Sequence, residues 1–190
     1  MRTFHPAGTH YIPKHAKRVF KGVIYDVYHW RQKRFDGSEV TFEMLKRPDT
    51  VKVIAIKDDH IVAIMEEQPD RPSTLTLPGG RHDVESEDEL DCAKRELHEE
   101  TGMVFKTWKL IAATQPHHKI DQIVYIFLAT DFERQDKPHV DPGEKIELCE
   151  LTFAEAKHYG ELPTNGYWPS DILRQVKSLD ELIALRNMWV

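Results

Sequence analysis

Runs of apolar residues that alternate with polar ones predict a series of short strands through the middle of the chain. β-branched and aromatic residues from 19 to 30 and from 39 to 46 flank a turn at Asp36 and Gly37, which is typical of a β-hairpin. Further strands are predicted at 51–57, 61–67, 75–77, 108–113, 122–130 and 145–151. The first two of these surround another tight turn and form a second hairpin.

One segment between these strands has the apolar spacing of a helix. Its apolar residues recur about once per helical turn and so share one face: Leu90, Ala93 and Leu97. Ser86 followed by Glu89 has the form of a capping box, and Gly102 stands where a helix commonly ends. We therefore predict a helix from 87 to 101.

The last part of the chain predicts more helix. Thr152 and Ser178 each precede a glutamate by three residues and so mark two further helix starts. The apolar pattern from 168 to 190 predicts an amphipathic helix that packs on a sheet. Strands with interspersed helices indicate an α/β (α+β) fold with a mixed β-sheet between helices.

No repeat, linker or low-complexity tract divides the 190 residues. The prediction is therefore a loosely organised N-terminal arm, residues 1–18, followed by one domain, residues 19–190. Within that domain the N-terminal hairpin extension occupies 19–46 and the core 47–190.

Composition excludes several classes of protein. With 26 Lys and Arg against 32 Asp and Glu, the net charge of −6 makes a nucleic-acid partner held by bulk electrostatics unlikely. The longest apolar runs are far shorter than the roughly 18 residues of a membrane span, so no membrane partner is expected. Two cysteines and no recognisable secretory signal favour a cytoplasmic location.

The acidic residues are concentrated in one segment. Residues 79–103 hold nine acids and three bases, a difference equal to the excess of the whole chain. On the predicted helix Glu96, Glu99 and Glu100 fall within about a 100° arc, where like charges repel. A hard divalent cation such as Mg²⁺ prefers carboxylate oxygen and would compensate them.

Residues 79–103 resemble the Nudix box, a glycine followed by a glutamate and then by Arg-Glu-apolar-x-Glu-Glu-x-Gly. The structural positions of that box correspond to Gly80, Glu87, Arg95 and Gly102. Six residues separate Gly80 from Glu87, where the family usually has five, so the loop before the helix must bulge by one residue. Either Glu87, our choice, or Glu85 then takes the place of the first glutamate.

This resemblance implies a Nudix fold and a Mg²⁺-dependent pyrophosphohydrolase, with Mn²⁺ as an alternative metal. The metal ligands implied are Glu96, Glu99, Glu100 and the carbonyl of Gly79. Metal ions there would neutralise a diphosphate and acidify the attacking water. The same resemblance suggests Glu144 as the catalytic base, with Glu147 as the second choice. Arg95 is expected to pair with the box carboxylates, since Glu99 lies four residues on.

The sequence around the box is most like the branch that hydrolyses ADP-ribose and other nucleotide sugars. On that likeness the expected reaction converts ADP-ribose to AMP and ribose 5-phosphate, with another sugar nucleotide, a dinucleotide or a nucleoside triphosphate as alternative substrates. Arg71 and Arg81 are candidates for binding phosphate, and Trp30 for stacking on the base. Hairpins of this branch often reach a second copy, so a homodimer is possible.

Two other functions compete with this one. A sensor that binds a nucleotide or ADP-ribose without cleaving it usually lacks one of the box glutamates, whereas this chain keeps them all. Action on capped RNA would require a basic groove. The only support for such a groove is a short basic cluster near the N-terminus, Lys14, Lys17, Arg18 and Lys21.

Overall fold

The computed structural model describes residues 2–162 and 167–185. Its strands are β1 (Lys17–Lys21), β2 (Asp26–Lys33), β3 (Glu39–Lys46), β4 (Asp49–Lys57), β5 (His60–Gln68), β6 (Arg71–Thr76), β7 (Arg81–His82), β8 (Met103–Thr114), β9 (Ile120–Asp121), β10 (Val124–Gln135) and β11 (Lys145–Leu151). Its helices are α1 (Glu89–Thr101), α2 (Phe153–Tyr159), α3 (Ser170–Gln175) and α4 (Leu179–Ala184).

The N-terminal hairpin belongs to a small sheet of its own. Its strand order is β1-β2-β3-β9, with β9 parallel to β3 and the other pairs antiparallel. The single strand expected from 19 to 30 is two strands, because the chain reverses where Gly22 N donates to Tyr25 O. The hairpin predicted around Asp36 and Gly37 is confirmed as β2 and β3.

A larger mixed sheet carries the core. Its order is β11-β5-β4-β10-β8, with β6 added beside β5 and β7 beside β4, and only β4 and β10 run parallel. Alternate residues of β4 point to opposite faces, so Val53 packs toward α1 while Ile54 packs toward α2 and α3. The predicted mixed sheet between helices is therefore confirmed.

The helix α1 begins two residues later than predicted. Asp88, rather than Ser86, is the N-cap, and its side chain accepts from the backbone N–H of Asp91. Both residues suit an N-cap, and the Asp88 backbone has the extended conformation that a cap needs. At the other end Gly102 adopts a left-handed conformation with φ of 71°, as the sequence predicts.

The C-terminal helix predicted from 168 to 190 is wrong as a single element. It is divided into α3 and α4, because Val176 is extended and Ser178 caps a new helix by accepting from Glu181 N. Residues 186–190 of that prediction lie outside the described part of the chain. The capping box at Thr152 is confirmed at the start of α2.

The N-terminal arm is docked on the domain, contrary to the loose organisation predicted. Arg2 Nε and Nη2 donate to the two carboxylate oxygens of Asp49 at 2.6 Å, and Nη1 donates to Asp121 at 2.6 Å. Thr3 donates to Glu89 from its backbone N–H and from its hydroxyl. Partners so distant in sequence leave no local pattern that could predict them. Among the described helices, none has the length and apolar character needed to cross a bilayer.

Candidate active site

The loop that leads from β6 to α1 runs beside β4 and turns at two glycines. Val51 N donates to Gly80 O at 3.0 Å, and Gly79 N donates to Oε2 of Glu100 at 2.7 Å. Gly79 has φ of 134°, and a Cβ there would run into the Val51 carbonyl. At Gly80 a Cβ would run into the carboxylate of Glu96. The two glycines thus let the backbone approach β4 and two glutamates of α1 closely.

Three glutamates of α1 form what we call the carboxylate wall, Glu96, Glu99 and Glu100. Arg95 orders it: Nη1 donates to both Glu96 and Glu99 at 2.9 Å. The other side of the same guanidinium donates to Glu87, from Nε at 2.6 Å and from Nη2 at 3.1 Å. The expected pairing of Arg95 with the box carboxylates is therefore present, and it holds Glu96 and Glu99 together.

The extra residue in the loop before α1 is taken up by a turn. Glu87 N donates to Val84 O at 3.2 Å, and the turn residues between them include the exposed Glu85. His82 Nε2 lies 2.9 Å from Glu87 O and joins the two ends of the loop. Glu87, rather than Glu85, reaches Arg95, so the bulge leaves the register of α1 unchanged.

Burial strongly affects two carboxyl groups of the carboxylate wall, Glu96 and Glu100. Burial, opposed in part by Lys52 and by the bond from Gly79 N, raises the pKa of Glu100 to about 8. Burial also raises the pKa of Glu96, although the Arg95 guanidinium acts against it. Buried carboxylates of this kind bind protons readily and would release them to a cation.

Lys52 is one of the residues of the site that sequence reasoning missed. Its side chain leaves β4 and is buried, and Nζ donates to Leu77 O at 2.9 Å and to Gly79 O at 3.0 Å. Burial lowers the pKa of Lys52, while the charges of Glu100, Glu66 and Glu96 oppose that effect. A single lysine inside the apolar run from 51 to 56 was the signal in the sequence.

A second group of side chains, the strand wall, lies at the ends of β5, β6 and β11; its members are Glu66, Gln68, Arg71 and Glu144. Gln68 Nε2 donates to Glu66 at 2.6 Å and to Glu144 at 2.9 Å. Arg71 Nη2 donates to Glu66 at 2.7 Å. Burial, reinforced by the charge of Glu66, raises the pKa of Glu144. Glu66 and Gln68 were not predicted, since nothing local distinguishes them from other polar residues at a strand end.

The two walls belong to one electrostatic environment. The charge of Glu66 raises the pKa of Glu100, and Lys52 feels the charges of both. Arg71, a candidate from the sequence, contacts Glu66 directly, and Glu144 is joined to Glu66 through Gln68. Glu147, the second choice for a base, is exposed on β11.

The side chains of two predicted substrate-binding residues, Arg81 and Trp30, contact residues outside these walls. Arg81 is 56% exposed, and its carboxylate neighbour Asp83 lies 3.7 Å away. Trp30 packs on Phe42, with 4.8 Å between the ring centroids. Both rings line a cleft of about 710 Å³ between the N-terminal arm and the hairpin, together with Tyr11, His118 and Lys119. No member of either wall lines this cleft.

The carboxylate wall suits a divalent cation in its chemistry, because hard oxygen donors and buried negative charge are what Mg²⁺ prefers. The wall is not preassembled: within residues 2–162 and 167–185, no three His, Cys, Asp or Glu side chains are grouped closely enough to hold a metal. Arg95 already bonds two of the three carboxylates. The Gly79 carbonyl, the fourth ligand that the box resemblance implies, accepts the bond from Lys52.

Known proteins resemble this chain in sequence and in fold. A family model of the NUDIX domain matches residues 46–175. An ADP-ribose pyrophosphatase of Bacillus subtilis (strain 168) is 30% identical over 145 residues, which are 74% of this chain and 77% of that protein. The crystal structure of an ADP compounds hydrolase has the same fold, with a TM-score of 0.68 at 19% identity, over 85% of this chain and 90% of the other.

Proposed function

The chain belongs to the NUDIX family of hydrolases and acts on a small nucleotide substrate, and from this premise we propose that it hydrolyses ADP-ribose to AMP and ribose 5-phosphate with Mg²⁺. The observation that carries the proposal is the carboxylate wall. Arg95 donates to two of its glutamates, and the charges of Lys52 and Glu66 act on the third, Glu100. The choice of ADP-ribose is supported by the relative that is named for that activity.

In the proposed reaction Glu96, Glu99 and Glu100 hold the metal, and Arg95 holds two of these carboxylates in place. Mg²⁺ supplies charge neutralisation for the diphosphate and lowers the pKa of water near it. The oxygen of water forms a bond to one phosphorus, and the bond from that phosphorus to the bridging oxygen breaks. One product keeps the bridging oxygen as part of its own phosphate.

Glu144 is proposed as the group that takes the proton from water. It lies in the strand wall, where Gln68 donates to its Oε1 oxygen. Its raised pKa brings it nearer to neutral pH, which suits a general base. Arg71 belongs to the strand wall and is the first candidate for binding phosphate. Arg81 lies beside Asp83 in the loop before α1, and its side chain would have to turn toward the site to bind phosphate.

Trp30 is proposed to stack on the adenine of a substrate held by a second copy of the chain. Its cleft contains none of the wall residues, so within one copy it does not adjoin the carboxylate wall. The hairpin that carries it also bears exposed apolar side chains, Val19, Phe20, Val23 and Ile24. A homodimer that covers this surface would bring Trp30 to its partner's site.

The proposed location is the cytoplasm. The two cysteines, Cys92 and Cys149, are free thiols, which suits a reducing compartment.

The test is incubation of the purified protein with ADP-ribose and millimolar Mg²⁺, followed by chromatography of the products. We expect AMP and ribose 5-phosphate from the unaltered chain and a loss of at least about 100-fold in Glu100→Gln, which removes one charge from the metal-binding set. The exposed Glu133→Gln makes the same chemical change on β10 and should keep full activity.

Other substrates are distinguished in the same assay. Turnover of another sugar nucleotide, a dinucleotide or a nucleoside triphosphate in place of ADP-ribose would correct the substrate and keep the mechanism. Binding of ADP-ribose without turnover of any of these compounds would refute the enzyme proposal and favour the sensor. Full activity of Glu100→Gln would refute the proposed role of the carboxylate wall.

A further inference from the structure

We propose that the ammonium of Lys52 keeps its hydrogen bond to the Gly79 carbonyl oxygen, so that a divalent metal binds the carboxylate wall without that carbonyl as a ligand. The inference rests on the proposed metal site at Glu96, Glu99 and Glu100. It concerns a residue outside the Nudix box and changes which atoms of this chain are available to the metal.

The first argument is the position of the ammonium. Nζ lies 2.9 Å from Leu77 O and 3.0 Å from Gly79 O. These carbonyls belong to the turn from which Gly79 N donates to Glu100. Lys52 thus fixes one side of this turn while Glu100 fixes the other, and the Gly79 carbonyl points at a positive charge instead of at an open position.

The second argument is that burying a lysine at this position costs free energy unless opposite charges and hydrogen bonds offset the loss of water. Its neighbours in β4, Val51 and Val53, are fully buried apolar residues, and Lys52 itself is only 7% exposed. A buried ammonium is retained when it is paired with opposite charge and hydrogen-bonded. Here the opposite charges are Glu100, Glu66 and Glu96, which come from both walls of the site.

The third argument is competition between two cations for one oxygen. An ammonium and a divalent metal that share the Gly79 oxygen would lie within a few ångströms of each other and repel. Removing the ammonium should therefore free the carbonyl and tighten metal binding. Replacing it by another cation should do neither.

The test uses Mn²⁺ as the probe metal, without substrate. Mn²⁺ affinity is measured by electron paramagnetic resonance titration of the unaltered chain, Lys52→Met and Lys94→Met. The last variant removes the same charge from an exposed residue of α1. We expect Lys52→Met to bind Mn²⁺ at least tenfold more tightly than the unaltered chain, and Lys94→Met to change the affinity by less than threefold.

A second measurement identifies the ligand directly. Protein made with glycine labelled with ¹³C at the carbonyl is loaded with Mn²⁺ and studied by electron–nuclear double resonance, which detects ¹³C coupling from a carbonyl bound to the metal. We expect no such coupling in the unaltered chain and its appearance in Lys52→Met. Because the unaltered chain is informative by itself, the test does not depend on the variant's folding.

Carbonyl ¹³C coupling in the unaltered chain would overturn the inference, as would equal Mn²⁺ affinities of the unaltered chain and a folded Lys52→Met. Absence of Mn²⁺ binding in both would also overturn it, together with the metal site. Mn²⁺ that binds to a protein unable to hydrolyse ADP-ribose would instead count against the proposed function alone.

Discussion

Glu100 is expected to destabilise the metal-free protein, and Glu100→Gln to relieve this. The carboxyl is buried in the folded protein, and burial raises its pKa from the ordinary value of 4.5 to about 8. Between these two values the folded state binds more protons than the unfolded state, so its stability falls as the pH rises. The amide of glutamine can still accept the bond from Gly79 N but carries no charge.

The magnitude follows from the shift. One pKa unit corresponds to about 1.4 kcal/mol, so the raised pKa of Glu100 costs the folded state about 1 kcal/mol at pH 5 and roughly 4 kcal/mol at pH 8. The free energy of unfolding of Glu100→Gln should therefore exceed that of the unaltered chain, by an amount that increases by about 3 kcal/mol between these pH values.

The assay is urea unfolding in the presence of a chelator, at several pH values, for the unaltered chain, Glu100→Gln and Glu133→Gln. The last variant gives the baseline for replacing an exposed carboxyl by an amide. Saturating Mg²⁺ at pH 8 should stabilise the unaltered chain more than Glu100→Gln, because the metal takes the place of the proton. A difference between the unaltered chain and Glu100→Gln that stays constant from pH 5 to pH 8 would refute this reasoning.

Four further outcomes are expected. Arg2→Met should lower the free energy of unfolding in urea by about 3 kcal/mol, because it leaves two buried carboxylates without their cation; an unchanged midpoint would show that the arm is not docked. Arg95→Lys should raise the Mg²⁺ concentration for half-maximal activity at least about threefold, since lysine cannot bridge three carboxylates; an unchanged Mg²⁺ dependence would contradict this role. Trp30→Ala should raise KM for ADP-ribose about tenfold with a smaller effect on kcat, if stacking contributes about 1.4 kcal/mol, and an unchanged KM would exclude the stacking. Glu144→Gln should lower kcat about 100-fold, whereas equal loss in Glu147→Gln would leave the base unassigned.

The spacing of residues along the chain was enough to predict the helix of the box and the hairpins around it. Periodicity, capping residues and turn glycines act within a few residues of one another, so their effects are visible in the sequence. The end of α1 at Gly102 and the contact of Arg95 with Glu99 are of this kind, because both depend on one helix alone. The family resemblance depends on the same local spacing, and the match to residues 46–175 bears it out.

Local spacing did not decide between nearby residues that have similar local preferences. Ser86 and Asp88 are both good capping residues, and only the path of the loop places Asp88 at the cap. The apolar stripe after 168 is continuous in sequence, yet Val176 is extended and separates two helices. The path of the loop selects the cap, and the burial of Val176 in the hydrophobic core accompanies the break between the two helices.

The tertiary structure alone decided which distant residues meet the box glutamates. Lys52 reaches the Gly79 carbonyl because β4 runs beside the turn, and Gln68 joins Glu144 to Glu66 because β11 pairs with β5. The docking of Arg2 on Asp49 similarly joins residues 47 positions apart. Burial is a property of the folded whole. It lowers the pKa of Lys52 and raises the pKa of Glu100, and the residue types in the sequence do not show these effects.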